Sequence, residues 1–294
     1  MFIIYSILDY GKTFKAIRLS KNYEQSKVSV GVLHQSSYSK FELGNIELTT
    51  KKFIDLLHNI EMSFEELEFI HHSYDYSSRN EIIYKFTNQK FLDETLLLEI
   101  IASFKAYLNE KEDRYIRDIL TASKGLYELK KNKDFKKASY YAEQVWYRIQ
   151  KSDTWYLSDI RLVNCILFLF PIDTALYIDQ FAISQLDKYK KYDNCIKLKL
   201  PFKYNLVHLL LKEEQFVKAY NINEELILDF KEQKTYVQMA LCFLRKGLLQ
   251  EKLAIQDTKN FVVYAESIAL LLEDEDLQKQ LENEKLYLKE LMNV

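Results

Sequence analysis

Gln35, Ser36, Ser39 and Lys40 lie within six consecutive positions and carry the donors and acceptors that nucleic-acid bases answer. Gln and Ser exchange hydrogen bonds with base edges in a major groove, and Lys reaches guanine acceptors or a phosphate. Tyr38 and Phe41, three positions apart, would face inward if Gln35 to Glu42 is helical, which leaves the four polar residues outward. The chemistry on offer is recognition of duplex DNA, with no catalysis.

Such a surface needs elements to hold it. Residues 11 to 70 break into four short helical stretches with the spacing of a helix-turn-helix module. Phe14, Ile17 and Val28 supply apolar contacts around GKTFKAIRLSKNYEQSKVSVGVL, and HQSSYSKFELG follows as a compact helix closed by Gly44. Gly44 suits the left-handed residue that stops a helix, and Thr49 or Thr50 can cap the next one, ahead of Lys51, Lys52, Phe53, Leu56 and Leu57. Residues 1 to 52 hold eight Lys or Arg against four Asp or Glu, a net of +4, whereas residues 53 to 70 hold five acids and no Lys or Arg. A basic surface could therefore face phosphates while an acidic helix points away. The alternative is an ordinary mixed surface on a small helical domain.

The remaining composition limits the classes open to the chain. With 294 residues, 48% of them hydrophobic, it has room for two packed units. Five Gly and two Pro are too few for a turn-rich sheet protein and point to an almost wholly helical one, with 22 Tyr and 18 Phe making its packing aromatic. A net charge of −2 excludes nucleic-acid binding by bulk positive charge, so any DNA contact must be local. Cys165, Cys195 and Cys242 form no CxxC pair and read as buried free thiols of a reducing cytoplasm. The opening MFIIYSIL is expected to begin the first helix rather than serve as a secretory signal. LVNCILFLF, at 162 to 170, is far shorter than the roughly 20 residues a bilayer crossing needs. No membrane association, cofactor or metal is expected. His71 and His72 are adjacent, point to different helix faces and have no further ligands nearby. There is no glycine-rich phosphate loop, HExxH or GxSxG, so an enzyme is not expected.

Beyond residue 70 the pattern becomes a succession of amphipathic helices. Asp134-Phe135-Lys136-Lys137-Ala138 and Gln215-Phe216-Val217-Lys218-Ala219 share one phrase 81 residues apart; Ala175 falls between them, and Ala265 lies 46 residues after Ala219. A spacing near 40 with a small Ala at each tight crossing predicts a degenerate tetratricopeptide-like superhelix. Its concave face would suit an extended peptide. Arg148, Arg161 and Asn164 lie among aromatics in one second helix, and Tyr204, Asn205 and His208 in another. Asn can clamp a peptide backbone and Arg can hold a carboxylate. In the alternative reading Asn164 and Asn205 cap buried helix crossings and the Arg residues are solvated.

GKTFKAIRLSKN, then SSYSKFELGNIELTTKKFIDLLHNIEMSFEELEFI, resembles the opening of the Rgg (MutR-type) regulators of Gram-positive bacteria, whose motif runs approximately GKTFKxIRxSKG, SxSQLSRFExGxSxLT and xSxEEF. NCILFLF, at 164 to 170, resembles a recurring phrase of the same family. Lys40 stands where that family has Arg, Leu43 replaces a frequent charged residue, and Glu24 and Gln25 replace a Ser cap and an apolar residue. The resemblance implies a dimeric transcription factor that binds double-stranded DNA and a short imported signalling peptide. By position it implies Gln35, Ser36, Ser37, Ser39 and Lys40 in the groove. Lys12, Arg18, Thr50 and Lys51 complete the expected DNA-contacting set. Domains are expected at 1–70 (helix-turn-helix), 71–80 (a hinge, HHSYDYSSRN) and 81–294 (repeats, peptide binding and dimerisation). A rival expectation is an interaction scaffold whose first helices have lost DNA binding.

Overall fold

The computed structural model describes residues 10–87, 93–192 and 195–293, the side chains of 195–197 excepted. Its described residues form α-helices joined by turns and short 3-10 segments, with no strand among them. The expected helix at MFIIYSIL and the Cys195 side chain lie outside the described residues. The chain divides into two compact units, Met1–Phe91 and Leu92–Val294.

The first unit contains α1 (Tyr10–Ser20), α2 (Gln25–Ser29), α3 (Gln35–Glu42), α4 (Thr50–Asn59), α5 (Phe64–His71) and α6 (Ser78–Thr87). Phe14, Ile17, Val28, Tyr38, Phe41, Leu56, Leu57, Ile60 and Leu67 form one core. Tyr38 and Phe41 face inward as their spacing requires. α3 ends as expected: Gly44 has φ +74°, its N–H donates to the Phe41 carbonyl at 2.9 Å, and the Asn45 N–H donates to Lys40 at 2.9 Å. That pair of bonds is a Schellman closure, which needs a left-handed residue at this point. The expected boundary after residue 70 and the expected hinge at 71–80 both fall inside this unit, because α5 runs through His71 and α6 starts at Ser78 and buries Ile82 and Phe86.

The second unit contains α7 (Glu94–Glu110), α8 (Arg114–Asn132), α9 (Phe135–Ile149), α10 (Leu157–Ile166), α11 (Ile172–Leu186), α12 (Cys195–Lys212), α13 (Phe216–Glu232), α14 (Tyr236–Lys252), α15 (Phe261–Leu271) and α16 (Glu275–Met292). Neighbours in sequence pack on one another, α7 on α8, α8 on α9, and α12 through α15 in succession, as stacked repeats require. Ala138, Ala175, Ala219 and Ala265 are all fully buried, so the alanine period marks the crossings. Two glycines add crossings that the period did not flag. A Cβ on Gly125 would lie 3.1 Å from the Ala138 carbonyl oxygen, and one on Gly247 would lie 2.7 Å from Val262 Cγ2. Helix exits that elsewhere use Gly use other residues here: Lys133, Glu214, Lys234, Ala254 and Glu273 take φ between +50° and +55°.

Candidate nucleic-acid interface and repeat-unit site

α3 is held against α1 and α2 by a buried polar knot. Arg18 Nε and Nη2 donate to the two Glu42 carboxylate oxygens at 2.5 and 2.9 Å, and Arg18 Nη1 donates to the Tyr23 carbonyl at 2.9 Å. Gln25 Nε2 donates to Glu42 Oε2 at 2.8 Å. Arg18 is 7% exposed and Glu42 2%. Burial pushes the Glu42 carboxyl up, but the bonds from Arg18 and Gln25 outweigh it and hold the group below its usual value. Arg18 therefore leaves the expected DNA-contacting set: all three of its nitrogen groups are used inside the unit. Its register shows why. It lies four residues after Phe14 and beside Ile17 in α1, on the helix's buried face. Gln25, read as a departure from an apolar position, supplies a further bond to the same carboxylate.

Gly11 explains its own place in the opening motif. A Cβ there would overlap the Phe41 carbonyl oxygen and approach its carbon to 2.8 Å, so α1 and α3 can meet this closely only without a side chain. Gly to Ala inside a helix ordinarily gains roughly 0.5–1 kcal/mol. Gly11→Ala is expected to reverse that sign and cost about 1–3 kcal/mol, the range for overpacking a filled core. Urea titration followed by circular dichroism checks it.

With α3 so mounted, Gln35, Ser36 and Lys40 are exposed and Ser37 and Ser39 half-buried. Lys12, Thr50 and Lys51 are exposed as well. Thr49 occupies the N-cap of α4, yet its side chain makes no capping bond. The turn between α2 and α3 is pinned from α4, where Asn59 Nδ2 donates to the Val28 and Val30 carbonyls at 2.8 and 2.9 Å. Two apolar residues at the ends of these helices are exposed: Leu43, 58% so, which the sequence marks as standing in place of a charged residue, and Val30, 65% so, which the sequence alone does not single out.

In the second unit the six residues expected to bind peptide meet different fates. Arg148 is a cross-link: its Nε lies 2.6 Å from Asp118 Oδ2 and its Nη2 lies 3.2 Å from Asp159 Oδ1, which ties α9 to α8 and α10. Asn164 and Asn205 join α10 to α12, Asn205 Nδ2 donating to the Asn164 carbonyl at 3.0 Å and to its Oδ1 at 3.1 Å. Tyr204 lies under the Arg245 guanidinium, 3.9 Å from the ring centroid. Arg245, 2% exposed, donates to Glu284 at 2.7 Å and to the Tyr204 carbonyl at 3.1 Å, a knot that spacing alone did not disclose. His208 stacks on Tyr287 at 5.8 Å. Arg161 is exposed.

Burial, with smaller contributions from Arg245 and Lys212, lowers the His208 pKa from 6.5 to about 3. Below pH 6.5 the unfolded chain binds a proton that the folded one refuses, so this group's contribution to stability falls between about pH 6.5 and 3. Asp179 acts in the opposite sense, since burial raises its pKa from 3.8 to about 6, partly offset by Lys203, and acidification relieves it. His208→Phe keeps a ring against Tyr287 and is expected to remove the first of these slopes while leaving the second. Urea midpoints compared from pH 7 to 4 show whether it does.

Burial likewise raises the Cys165 and Cys242 thiols, to about 11 and about 12, and both are unpaired. Among the described residues no group of His, Cys, Asp or Glu side chains is placed to hold a metal, and no helix is long and apolar enough to cross a membrane.

No protein-family profile matches the chain. Solved structures do match. A protein from Listeria monocytogenes EGD-e described as a transcriptional regulator is similar over 97% of both chains, with a TM-score of 0.71 and 19% identity. PlcR of Bacillus thuringiensis, solved with the peptide PapR7 and DNA, matches over 93% of this chain and 99% of its own, at TM-score 0.68 and 14% identity. The SHP pheromone receptor Rgg2 of Streptococcus dysgalactiae matches over 95% and 99%, at TM-score 0.67 and 14% identity. The described residues therefore share the fold of these proteins, an N-terminal helix-turn-helix unit followed by a tetratricopeptide-like helical stack.

Proposed function

We propose that this chain is a homodimeric, sequence-specific DNA-binding regulator of transcription that works in the cytoplasm and takes a short signalling peptide in its repeat unit. The observation that carries this reading is the outer face of α3. Gln35, Ser36 and Lys40 are exposed on a helix whose inner face is fixed by Tyr38, Phe41 and the Glu42 knot. Lys12, Ser37, Ser39, Thr50 and Lys51 complete the proposed contact set. PlcR, solved with DNA and a peptide, and the pheromone receptor Rgg2 share the fold, which supports both halves of the reading.

The peptide seat we infer is the seam of α10 and α12. Arg161 and Asn164 are one turn apart on α10, and Tyr204, Asn205 and His208 share a stretch of α12. Arg148 is set aside because two carboxylates already hold it. Dimerisation is supported by Leu270, Leu271 and Leu272 at the end of α15, all exposed and Leu271 84% so, an apolar surface of the kind that marks a protein contact. Paired repeat units would hold two readers about one DNA turn apart, roughly 34 Å. Peptide binding then acts as a switch only through unequal affinity for two arrangements of the readers.

A gel shift with the DNA upstream of the chain's own coding sequence tests the reading. A shift is expected below about 0.1 M salt, weakening steeply as salt is raised. A chain that never shifts such DNA is an interaction scaffold instead.

A further inference from the structure

The tyrosine-rich stretch after α5 plays no part in the proposed DNA or peptide sites, yet it builds a cavity. Between α5 and α6 lies a space of about 460 Å³ with Phe69, Tyr76 and Tyr84 in its walls and Glu65, Glu68 and Asp75 beside them. Tyr76 and Tyr84 stack at 4.8 Å, and Phe69 tilts against Tyr76 at 5.5 Å. Tyr76 and Tyr84 are each more than 40% exposed, so aromatic surface is held open to solvent rather than folded away. The volume falls in the range of small-ligand sites. Among the described residues no Lys, Arg or His lines the space.

We propose that this cavity binds an organic cation, an alkylammonium or guanidinium group, on the faces of Phe69, Tyr76 and Tyr84 with its charge answered by Glu65, Glu68 and Asp75. Aromatic faces carry negative electrostatic potential and attract cations. An anion would meet three carboxylates, and a neutral occupant would strip water from exposed Glu65 and Asp75 without returning a partner, whereas Glu68 already accepts from the Tyr10 hydroxyl. A bare metal ion fits no better, since these carboxylates are not grouped as metal ligands and aromatic rings offer none. The occupant is a cation long enough to meet rings and separate carboxylates together.

Two sources share this chemistry, a free polyamine and a Lys or Arg side chain of another protein. Calorimetric titration of the full chain with spermidine, and separately with the blocked tripeptide acetyl-Gly-Arg-Gly-amide, distinguishes them. At least one probe is expected to bind saturably, and Glu65→Gln and Tyr76→Leu are each expected to weaken it by about tenfold or more. Saturation by spermidine alone assigns a free polyamine, and saturation by the tripeptide alone assigns a protein side chain. Glu65 is an exposed helix residue, so Glu65→Gln keeps the test sound if Tyr76→Leu fails to fold. Three results overturn the proposal: no saturation by either probe at about 10 mM, native affinity retained in both variants, or displacement of the bound probe by magnesium chloride as readily as by an excess of unlabelled probe at matched ionic strength.

Discussion

Arg18→Ala is expected to destabilise the first unit by about 3–5 kcal/mol, the usual cost of removing one partner of a buried ion pair. Glu42, 2% exposed, would keep only the Gln25 bond and lose both bonds from the guanidinium. Coulomb attraction is not the main loss. An unanswered carboxylate inside a helical core costs its full desolvation. The sign of the pH dependence follows. In the native chain Glu42 titrates below its usual 4.5, so the ionised form stabilises the fold at neutral pH. Without Arg18 the same burial raises the group's pKa, and protonation then relieves the defect. The deficit of Arg18→Ala against the native chain is therefore expected to shrink as the pH falls toward 4.5. Denaturant titration at pH 7 and pH 5 measures both effects. An Arg18→Ala protein as stable as the native one would return Arg18 to the surface role its charge first suggested.

The second large effect concerns recognition and not folding. The double variant Gln35→Ala/Lys40→Ala is expected to lose about 2–6 kcal/mol of preference for its operator over unrelated DNA, at roughly 1–3 kcal/mol per base contact. Both side chains are exposed and outside the first unit's core, so its unfolding midpoint is expected to stay within about 0.5 kcal/mol of the native value. Competition binding against random duplex, with circular dichroism alongside, reads the two quantities together. Loss of fold in this variant, or undiminished preference with the fold intact, would each contradict the assignment. The contrast with Arg18→Ala is informative because the same segment then contains one charge that builds the reader and another that uses it.

That division was half legible in the sequence. The three-residue spacing of Tyr38 and Phe41, the stop at Gly44 and the alanines near a 40-residue interval carried the limits of α3 and the stacking of the second unit, because these are local or periodic signals. Arg18 was misread because its charge outweighed its register: Phe14, Ile17 and Arg18 share one face of α1. Its partner lies 24 positions away in α3, a pairing that only tertiary packing creates. Arg148 is similar, joined to Asp118 on one side and Asp159 on the other, and Asn164 meets Asn205 across 41 positions. Polar residues amid apolar neighbours in these helices mark interior bonds as readily as ligand contacts, and spacing does not separate the two. The stretch 71–80 reads as a hinge because it is polar and rich in Tyr, and in the structure it lies within the first unit. Those rings pack on α5 and α6, and Ile82 and Phe86 anchor the next helix.

Dimethyl sulfate footprinting of the upstream DNA tests the central claim most directly, because the reagent attacks guanine N7 in the major groove, where the outer face of α3 would lie. The native chain is expected to protect two patches about one helical turn apart, and Gln35→Ala/Lys40→Ala is expected to lose both. Guanines left fully reactive while the chain is bound to the DNA, or the same protection in the double variant, would contradict it.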